Sequence, residues 1–276
     1  MKDGIYTNIS NEEYNNIDAV RCSFLKTVLE NPRLAWFEKM SIIEKEPSAS
    51  MLFGTLVHEA ILEPEKYNAR VIAGNQSKAD KEIPIDRKIS ASNKKEIDAI
   101  VKMWNFSNQK NKVNGALKEL TVVTNGKKCK IDFYKVNPKD PSTVMIGDLK
   151  TASKIDVYGL NYIIKDFRYV FQLAYYQKVF EEAIDRVKKG EIHSDIDVSA
   201  VKNIYTSLIF IHKSPPFDVR YLDLNNYVDG EYNNITNALN ILAEQEQKYG
   251  YDIDKPWDTN VCENLNEDPN GGFTNF

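Results

Sequence analysis

Two aspartates and a lysine on neighbouring predicted strands are the residues best suited to chemistry in this sequence. Asp148 and Lys150 flank Leu149 in a segment predicted to be a strand. Residues two apart on a strand project from the same face, so these two side chains are expected to lie side by side. Asp132 lies on the preceding predicted strand, and the short turn between the strands brings the two aspartates together.

Two carboxylates in one partly buried site need a compensating positive charge. Burying an ion costs several kcal/mol, and repulsion between the carboxylates adds to this cost. One lysine offsets only part of it, whereas a divalent cation with oxygen ligands removes the conflict. Mg²⁺ typically takes one or two carboxylates together with water and substrate phosphate. The pattern predicts a Mg²⁺ site, with Mn²⁺ able to substitute, in which Lys150 holds or deprotonates an attacking water or neutralises developing charge. An ordinary exposed ion pair is the open alternative for Asp148 and Lys150.

The predicted elements around these residues form a mixed core. Strands are expected at residues 120–124, 130–136, 143–151 and 205–211, with Asn125-Gly126 favouring a type I′ hairpin turn between the first two. Helices are expected from about residue 23 to the Asn31-Pro32 step, over 49–62 and over 167–183. A capping box from Ser10 to Glu13 marks an earlier helix start. The fold class is therefore α/β (α+β), a small mixed β-sheet flanked by helices.

The length and composition favour one domain. The 276 residues, 42% of them hydrophobic, are enough for one large core, which we place at residues 1–255. A polar, lysine-rich stretch followed by an amphipathic pattern predicts a helical excursion at about 74–115. The segment 256–276 is predicted to be a weakly ordered tail.

Charge and cysteine content narrow the function classes. The formal net charge of −4 excludes a broadly basic surface, so a nucleic-acid enzyme would have to concentrate positive potential in a groove or on a metal. Cys22, Cys129 and Cys262 are far apart, which disfavours zinc ribbons and cysteine-ligated iron–sulfur clusters. Neither a signal peptide nor a run of about 18 apolar residues is visible, so we expect a soluble, cytoplasmic protein without membrane attachment.

Four ordered motifs resemble one nuclease superfamily. Asp132 followed by Gly147-Asp148-Leu149-Lys150-Thr151 resembles the PD-(D/E)xK signature. Residues 53–64, FGTLVHEAILEP, are similar to the "GxxxHxxxLEP" helix of phage-type exodeoxyribonuclease VIII (RecE-like) proteins, and the RecB nuclease domain has a related histidine helix. Residues 169–176 match a Gln-xxx-Tyr helix, and residues 21–25 followed by Asn31-Pro32 resemble the RecE-like N-terminal pattern. The resemblance covers about residues 5–180.

This resemblance implies a restriction-endonuclease-like core and assigns roles to eight residues. The catalytic set is His58, Asp132, Asp148 and Lys150. The metal ligands are His58, Asp132, Asp148, the Leu149 carbonyl and Glu119. The substrate-binding residues are Gln172 and Tyr176. The residue types alone leave open that His58 is a hydrogen-bonded helix residue and that Gln172 and Tyr176 are a pair at the edge of the core.

The resemblance also implies an activity. The expected protein is a Mg²⁺-dependent exodeoxyribonuclease that resects linear double-stranded DNA ends from 5′ to 3′ in phage-type recombination. A homo-oligomer, a single-strand annealing protein or recombinase as partner, and the host cytoplasm as location are part of the same expectation. The alternatives are a Cas4-like or endonucleolytic relative, and a non-catalytic DNA-binding module of the same fold. The absence of a cysteine cluster disfavours the iron–sulfur type.

Overall fold

A computed structural model describes residues 1–43, 47–72 and 88–259. Within these ranges the strands are β1 Gly4–Tyr6, β2 Val20–Arg21, β3 Val71–Ile72, β4 Lys88–Ile89, β5 Leu117–Thr124, β6 Lys127–Asn137, β7 Asp140–Ala152, β8 His193–Ser194, β9 Asn203–His212 and β10 Val219–Asp223. The helices are α1 Asn11–Asn15, α2 Cys22–Glu30, α3 Pro32–Lys39, α4 Ala49–Leu62, α5 Pro64–Asn68, α6 Ala91–Phe106, α7 Lys110–Val113, α8 Val157–Asp166, α9 Tyr169–Lys188, α10 Asn225–Val228 and α11 Tyr232–Tyr249.

The main sheet is mixed and has eight strands. Its order is β10-β9-β7-β6-β5-β1-β8, with β2 pairing to β6, while β3 and β4 form a separate pair. Strands β5, β6 and β7 make an antiparallel meander. Strand β9 then pairs in parallel with β7 from Thr143–Asn203 to Ala152–His212. A parallel connection needs a crossover, and α8 and α9 supply it.

Both faces of the sheet are covered. One face packs with α2, α9 and α11, and the other packs with α4 and α6. In β9, Leu208 and Phe210 belong to the first cluster, whereas Ile209 and Ile211 belong to the second. Because the strand is buried on both sides, its sequence is a continuous apolar run instead of an alternating one.

The mixed fold with a helix-flanked sheet is confirmed, and several local predictions match in detail. Helix α4 has the predicted bounds, and the Ser10 capping box is present. Asn125 and Gly126 have φ values of 45° and 70°, and a type I′ turn requires two such positive angles. The sheet has four strands more than predicted, which are the five-residue β10 and the shorter β1, β2 and β8 with only two or three residues each. Strands that short carry no recognisable alternation.

The predicted excursion is described only in part, because residues 73–87 lie outside the described ranges. Helix α6 places Ile97, Ile100 and Trp104 in the cluster that also contains α4 residues. The predicted tail lies outside the described residues from position 260 onward. The domain limits therefore stay a prediction. Among the described helices, none is both long and apolar enough to cross a membrane.

Candidate active site

The site forms where β6 and β7 separate. Their ladder ends at Phe133 opposite Gly147, one residue before the two aspartates. Beyond that point Leu149 N donates to Asp132 Oδ2 at 2.7 Å, so a side chain takes the place of a backbone acceptor. Gly147 is required here, since a Cβ atom would lie 2.1 Å from the Phe133 ring and 2.7 Å from Ser207 O.

Asp148 and Lys150 project from the same face of β7, as predicted. Their side chains form an ion pair. Gln172 Nε2 on α9 donates to Asp148 Oδ1 at 3.0 Å and to the Tyr176 hydroxyl oxygen at 2.9 Å. Gln172 and Tyr176, predicted to bind substrate, thus lie behind Asp148, and the contact that Gln172 makes there positions this carboxylate.

Glu119 reaches the site through an unusual backbone conformation. Its φ of 56° lies in the left-handed region, and it has no ladder partner between the Lys118–Phe133 and Leu120–Ile131 pairs. Such a conformation in a residue other than glycine costs of order 1–3 kcal/mol and is typical of functional sites. The Glu119 carboxylate lies 3.1 Å from Lys130 Nζ.

His58 approaches the aspartates from α4. Its Nδ1 is 3.4 Å from Asp132 Oδ2, and its Nε2 contacts the Leu149 carbonyl oxygen. Gly54, one turn earlier, allows the close approach of α4, because a Cβ atom there would lie 3.2 Å from Thr151 Oγ1. The helix and the separated strands thereby bring an imidazole, a carboxylate and a carbonyl to one point.

Burial controls the electrostatics of the site. Burial, assisted by the charge of Lys150, lowers the pKa of His58 to about 4, so the imidazole is neutral at pH 7. Burial raises the pKa of Asp132 well above its ordinary value, and the Asp148 charge raises it further. Burial also raises the pKa of Glu119, although Lys130 opposes this. The imidazole thus carries no charge that could balance the two desolvated acids, whose negative charge is opposed by lysines such as Lys130 and Lys150.

The pKa of Lys150 is shifted in the direction that keeps its charge. Burial alone would lower its pKa, but the carboxylates of Asp148 and Asp132 outweigh burial and raise the pKa. The lysine is therefore an ammonium at neutral pH. Of the roles predicted for it, this direction of the pKa favours holding a water molecule and neutralising charge over deprotonating water.

The donor set fits a divalent cation. Single ligand atoms of His58, Glu119 and Asp132 all lie within 4.8 Å of one another. Two carboxylates are ligands that Mg²⁺ or Mn²⁺ accepts, a neutral imidazole can coordinate a metal as well, and an ion would balance the remaining carboxylate charge. Asp148, predicted as a ligand, is not in this group, because it faces Lys150 and Gln172. The Leu149 carbonyl, through its contact with His58, lies beside the group.

A groove of about 2040 Å³ opens onto the site. His58, Glu119, Asp132 and Lys150 line it together with residues of α4 and α8. Sequence reasoning missed two residues, Lys26 and Tyr169, that lie next to the site. Lys26 on α2 donates to Phe167 O at 2.7 Å, and the Tyr169 ring lies 5.2 Å from Lys150 Nζ. Lys26 could have been noticed as the one lysine in the mostly apolar helix α2. Tyr169 could have been noticed as the first residue of the motif at residues 169–176.

Comparisons with known proteins concern the fold and the family of this chain. A crystal structure from Eubacterium rectale, described as a "Putative exonuclease", is similar to this chain with a TM-score of 0.62 and 17% identity, covering 94% of this chain and 92% of that one. At that identity the likeness concerns the fold alone. No curated protein shows a significant sequence match. The family model described as "PDDEXK-like domain of unknown function (DUF3799)" matches residues 21–248. The chain therefore belongs to this PDDEXK-like family.

Proposed function

We propose that this protein is a Mg²⁺-dependent deoxyribonuclease that hydrolyses phosphodiester bonds at the ends of linear double-stranded DNA. The observation that carries the proposal is the convergence of His58, Glu119 and Asp132 within 4.8 Å, next to the Asp148–Lys150 pair. Family membership and the likeness to a protein described as an exonuclease support a nuclease as the general class.

Different residues of the chain have different roles in the proposed reaction. His58, Glu119 and Asp132 would hold the cation, with the Leu149 carbonyl as the further ligand that the sequence predicts, while Asp148, also predicted as a ligand, faces Lys150. A bound divalent cation would supply Lewis-acid polarisation of the scissile phosphate and stabilise its developing charge. Lys150, as an ammonium, orients the attacking water and neutralises negative charge in the transition state. Gln172 holds Asp148, and Asp148 in turn holds Lys150, so α9 positions the catalytic amine.

The finer features of the proposal derive from the RecE-like motifs. They are exonucleolytic action from 5′ to 3′, a homo-oligomeric assembly, a place in phage-type recombination in the host cytoplasm, and a single-strand annealing protein or recombinase as partner. The helix containing Gly54 and His58 resembles that of the RecE-like group, and the RecB nuclease domain has a related one, so it supports these two groups over other members of the superfamily. Cys22 and Cys129, both buried and free, give no support to a Cas4-like cluster.

A non-catalytic DNA-binding module is the weaker candidate. Such a module gains nothing from two desolvated acids placed where a phosphate must approach, because they repel it and cost several kcal/mol to bury. A left-handed glutamate at the same point adds further cost. Both features are accounted for when a cation is held between them.

The test is cleavage of end-labelled linear duplex, compared with circular duplex, in Mg²⁺ and in EDTA. We expect degradation of the linear DNA in Mg²⁺ only, with the label position reporting polarity. His58→Asn is expected to lose activity, whereas His193→Asn, an exposed histidine on β8, is the matched control and keeps it. Binding without cleavage under all these conditions would favour the binding module. Equal loss of circular DNA would contradict an exonuclease.

A further inference from the structure

Helix α8 exposes large aromatic residues that its own packing does not need. Leu160 is buried and holds the helix against the core together with Ile163 and Ile164. On the outer side Tyr158 is 88% exposed and Tyr162 is 69% exposed. Residues four apart share a helix face, so these two rings project in the same direction about 6 Å apart along the axis. Phe167, just after the helix, is 55% exposed.

These rings face the catalytic groove. Tyr158, Tyr162 and Phe167 line the same groove as Lys150. Phe167 stacks on Tyr169, with ring centroids 5.7 Å apart and an angle of 16° between the planes. The ammonium of Lys150 in turn lies over the Tyr169 ring. An aromatic wall therefore extends from the outer helix to the amine proposed to act on phosphate.

The charge of the groove indicates how a ligand is held there. Basic side chains that line it, such as Lys154 and Lys213, are balanced by acidic ones, such as Asp156, which caps α8, and Asp166 at the end of α8. The whole chain has a formal charge of −4. Attraction of phosphates is therefore a weak source of affinity, and stacking on aromatic rings has to provide the remainder. Inside a duplex both faces of each base are covered by neighbouring base pairs, so successive bases can stack on rings of one helix face only where they are unpaired.

We propose that Tyr158, Tyr162 and Phe167 form a platform on which unpaired bases stack while their strand enters the catalytic groove. The substrate is then a single-stranded or frayed segment of DNA, even when the end comes from a duplex. This inference rests on the proposed nuclease function and adds to it the state of the DNA next to the scissile bond. Stacking tolerates any base, so the platform imposes no sequence requirement.

The first test measures binding without chemistry. Fluorescence anisotropy in EDTA compares a labelled single-stranded oligonucleotide with a blunt duplex of the same length. The double variant Tyr158→Ala/Tyr162→Ala is expected to lose at least about tenfold in affinity for the single strand and little for the duplex. The matched control is Tyr205→Ala/Tyr227→Ala, which removes two exposed tyrosines outside the groove and is expected to bind normally. Equal binding by both double variants would overturn the proposal.

The second test separates stacking from other contacts. An oligonucleotide with abasic positions is expected to bind equally to the wild type and to Tyr158→Ala/Tyr162→Ala, which we call the groove variant. The single variant Tyr162→Phe keeps the ring and is therefore expected to bind the normal oligonucleotide as the wild type does. Light scattering addresses the other occupant, a second copy of this chain. A change in oligomeric state of the groove variant, with unchanged oligonucleotide affinity, would reassign the face to a protein interface and overturn the platform.

The two proposals fail in distinguishable ways. Mg²⁺-dependent cleavage with no preference for frayed over blunt ends, and with full activity in the tyrosine variant, would refute the platform and leave the nuclease. Single-strand affinity that depends on the tyrosines, without any cleavage in Mg²⁺, would support the platform and refute the nuclease.

Discussion

Two lysines on adjacent strands, Lys128 and Lys150, are buried in different surroundings. Lys128 on β6 is 3% exposed and donates to the carbonyl oxygens of Tyr14, Asn15 and Ile17 at 2.8, 3.3 and 2.7 Å. Its ammonium also lies over the Tyr14 ring. Lys150 on β7 faces a carboxylate and lines the groove.

The surroundings give the two ammonium groups opposite pKa shifts. Burial, with the charges of Arg21 and Lys39, lowers the pKa of Lys128. Carboxylates outweigh burial at Lys150 and raise its pKa. A lysine held by carbonyls anchors a loop, whereas a lysine held by acids at a groove has a charge available to a ligand. The groups that contact a buried lysine, more than its burial, therefore determine whether its charge is structural or available to a ligand.

The largest expected effect tests the chemical side of this comparison. Lys150→Gln keeps a hydrogen-bond donor for Asp148 but removes the charge, and we expect DNA cleavage to fall by about 10²–10³-fold. Lys128→Gln is expected to stay within a few fold of the wild type per folded molecule. Single-turnover cleavage with circular dichroism as the folding check measures both. Similar activity of the two variants would contradict the different roles proposed for Lys128 and Lys150.

A cation should stabilise the site that contains the acids. Binding to the native state alone raises the free energy of unfolding by about 2.7 kcal/mol at a metal concentration 100 times Kd. We expect Mn²⁺ to raise the melting temperature of the wild type and of Glu96→Gln, which alters an exposed acid on α6. Glu119→Gln should lose most of that rise. An unchanged melting temperature of the wild type at saturating Mn²⁺ would argue against this ligand set.

The anchoring role of Lys128 predicts a stability loss. Lys128→Met leaves buried carbonyls without a donor, which costs about 1–3 kcal/mol in the free energy of unfolding. Lys139→Met, at an exposed position in the β6–β7 turn, should change it by less than about 0.5 kcal/mol. Urea unfolding measures both values, and a stable Lys128→Met variant would show that the three hydrogen bonds contribute little.

The smallest effect is a pH dependence. The pKa of Lys128 in the folded chain is lowered, so the unfolded chain binds the proton more tightly and protonation favours unfolding. The contribution of Lys128 to stability should therefore grow as pH rises between the folded and unfolded pKa values, the latter about 10.4. Urea unfolding of the wild type and Lys128→Met at pH 7 and pH 10 reports the difference, which should widen at pH 10.

The sequence predicted those parts of the site that depend on local periodicity or on a motif. Asp148 and Lys150 were placed on one face because side chains alternate on a strand, and His58 came from a resemblance in α4. Lys128 was not predicted to be buried, because the loop carbonyls that hold it lie more than 100 positions earlier in the chain. The left-handed backbone of Glu119 has no sequence signature either, since glutamate rarely adopts it.

Lys26 and Gln172 illustrate the same limit. Lys26 on α2 and Gln172 on α9 are in contact only because the two helices pack on one face of the sheet, with Lys26 Nζ 3.4 Å from Gln172 Oε1. The sequence predicted both helices but not their relative position. The role of Gln172 towards substrate came from the family resemblance and stays a prediction, and its contact with Asp148 is visible only in the fold.

The full-length pairing of β7 with β9 has a consequence for how the site tolerates mutation. Since β9 supports β7 as far as Ala152, the catalytic end of β7 does not need β6, and its backbone groups on that side are released for other uses. The Leu149 amide contacts Asp132, and the Leu149 carbonyl contacts His58. Both groups belong to the main chain and persist with any residue except proline, which lacks the amide hydrogen, at position 149. This part of the candidate site is thus insensitive to most amino-acid replacements, and substitution at position 149 is limited by the volume of the apolar core instead of by chemistry.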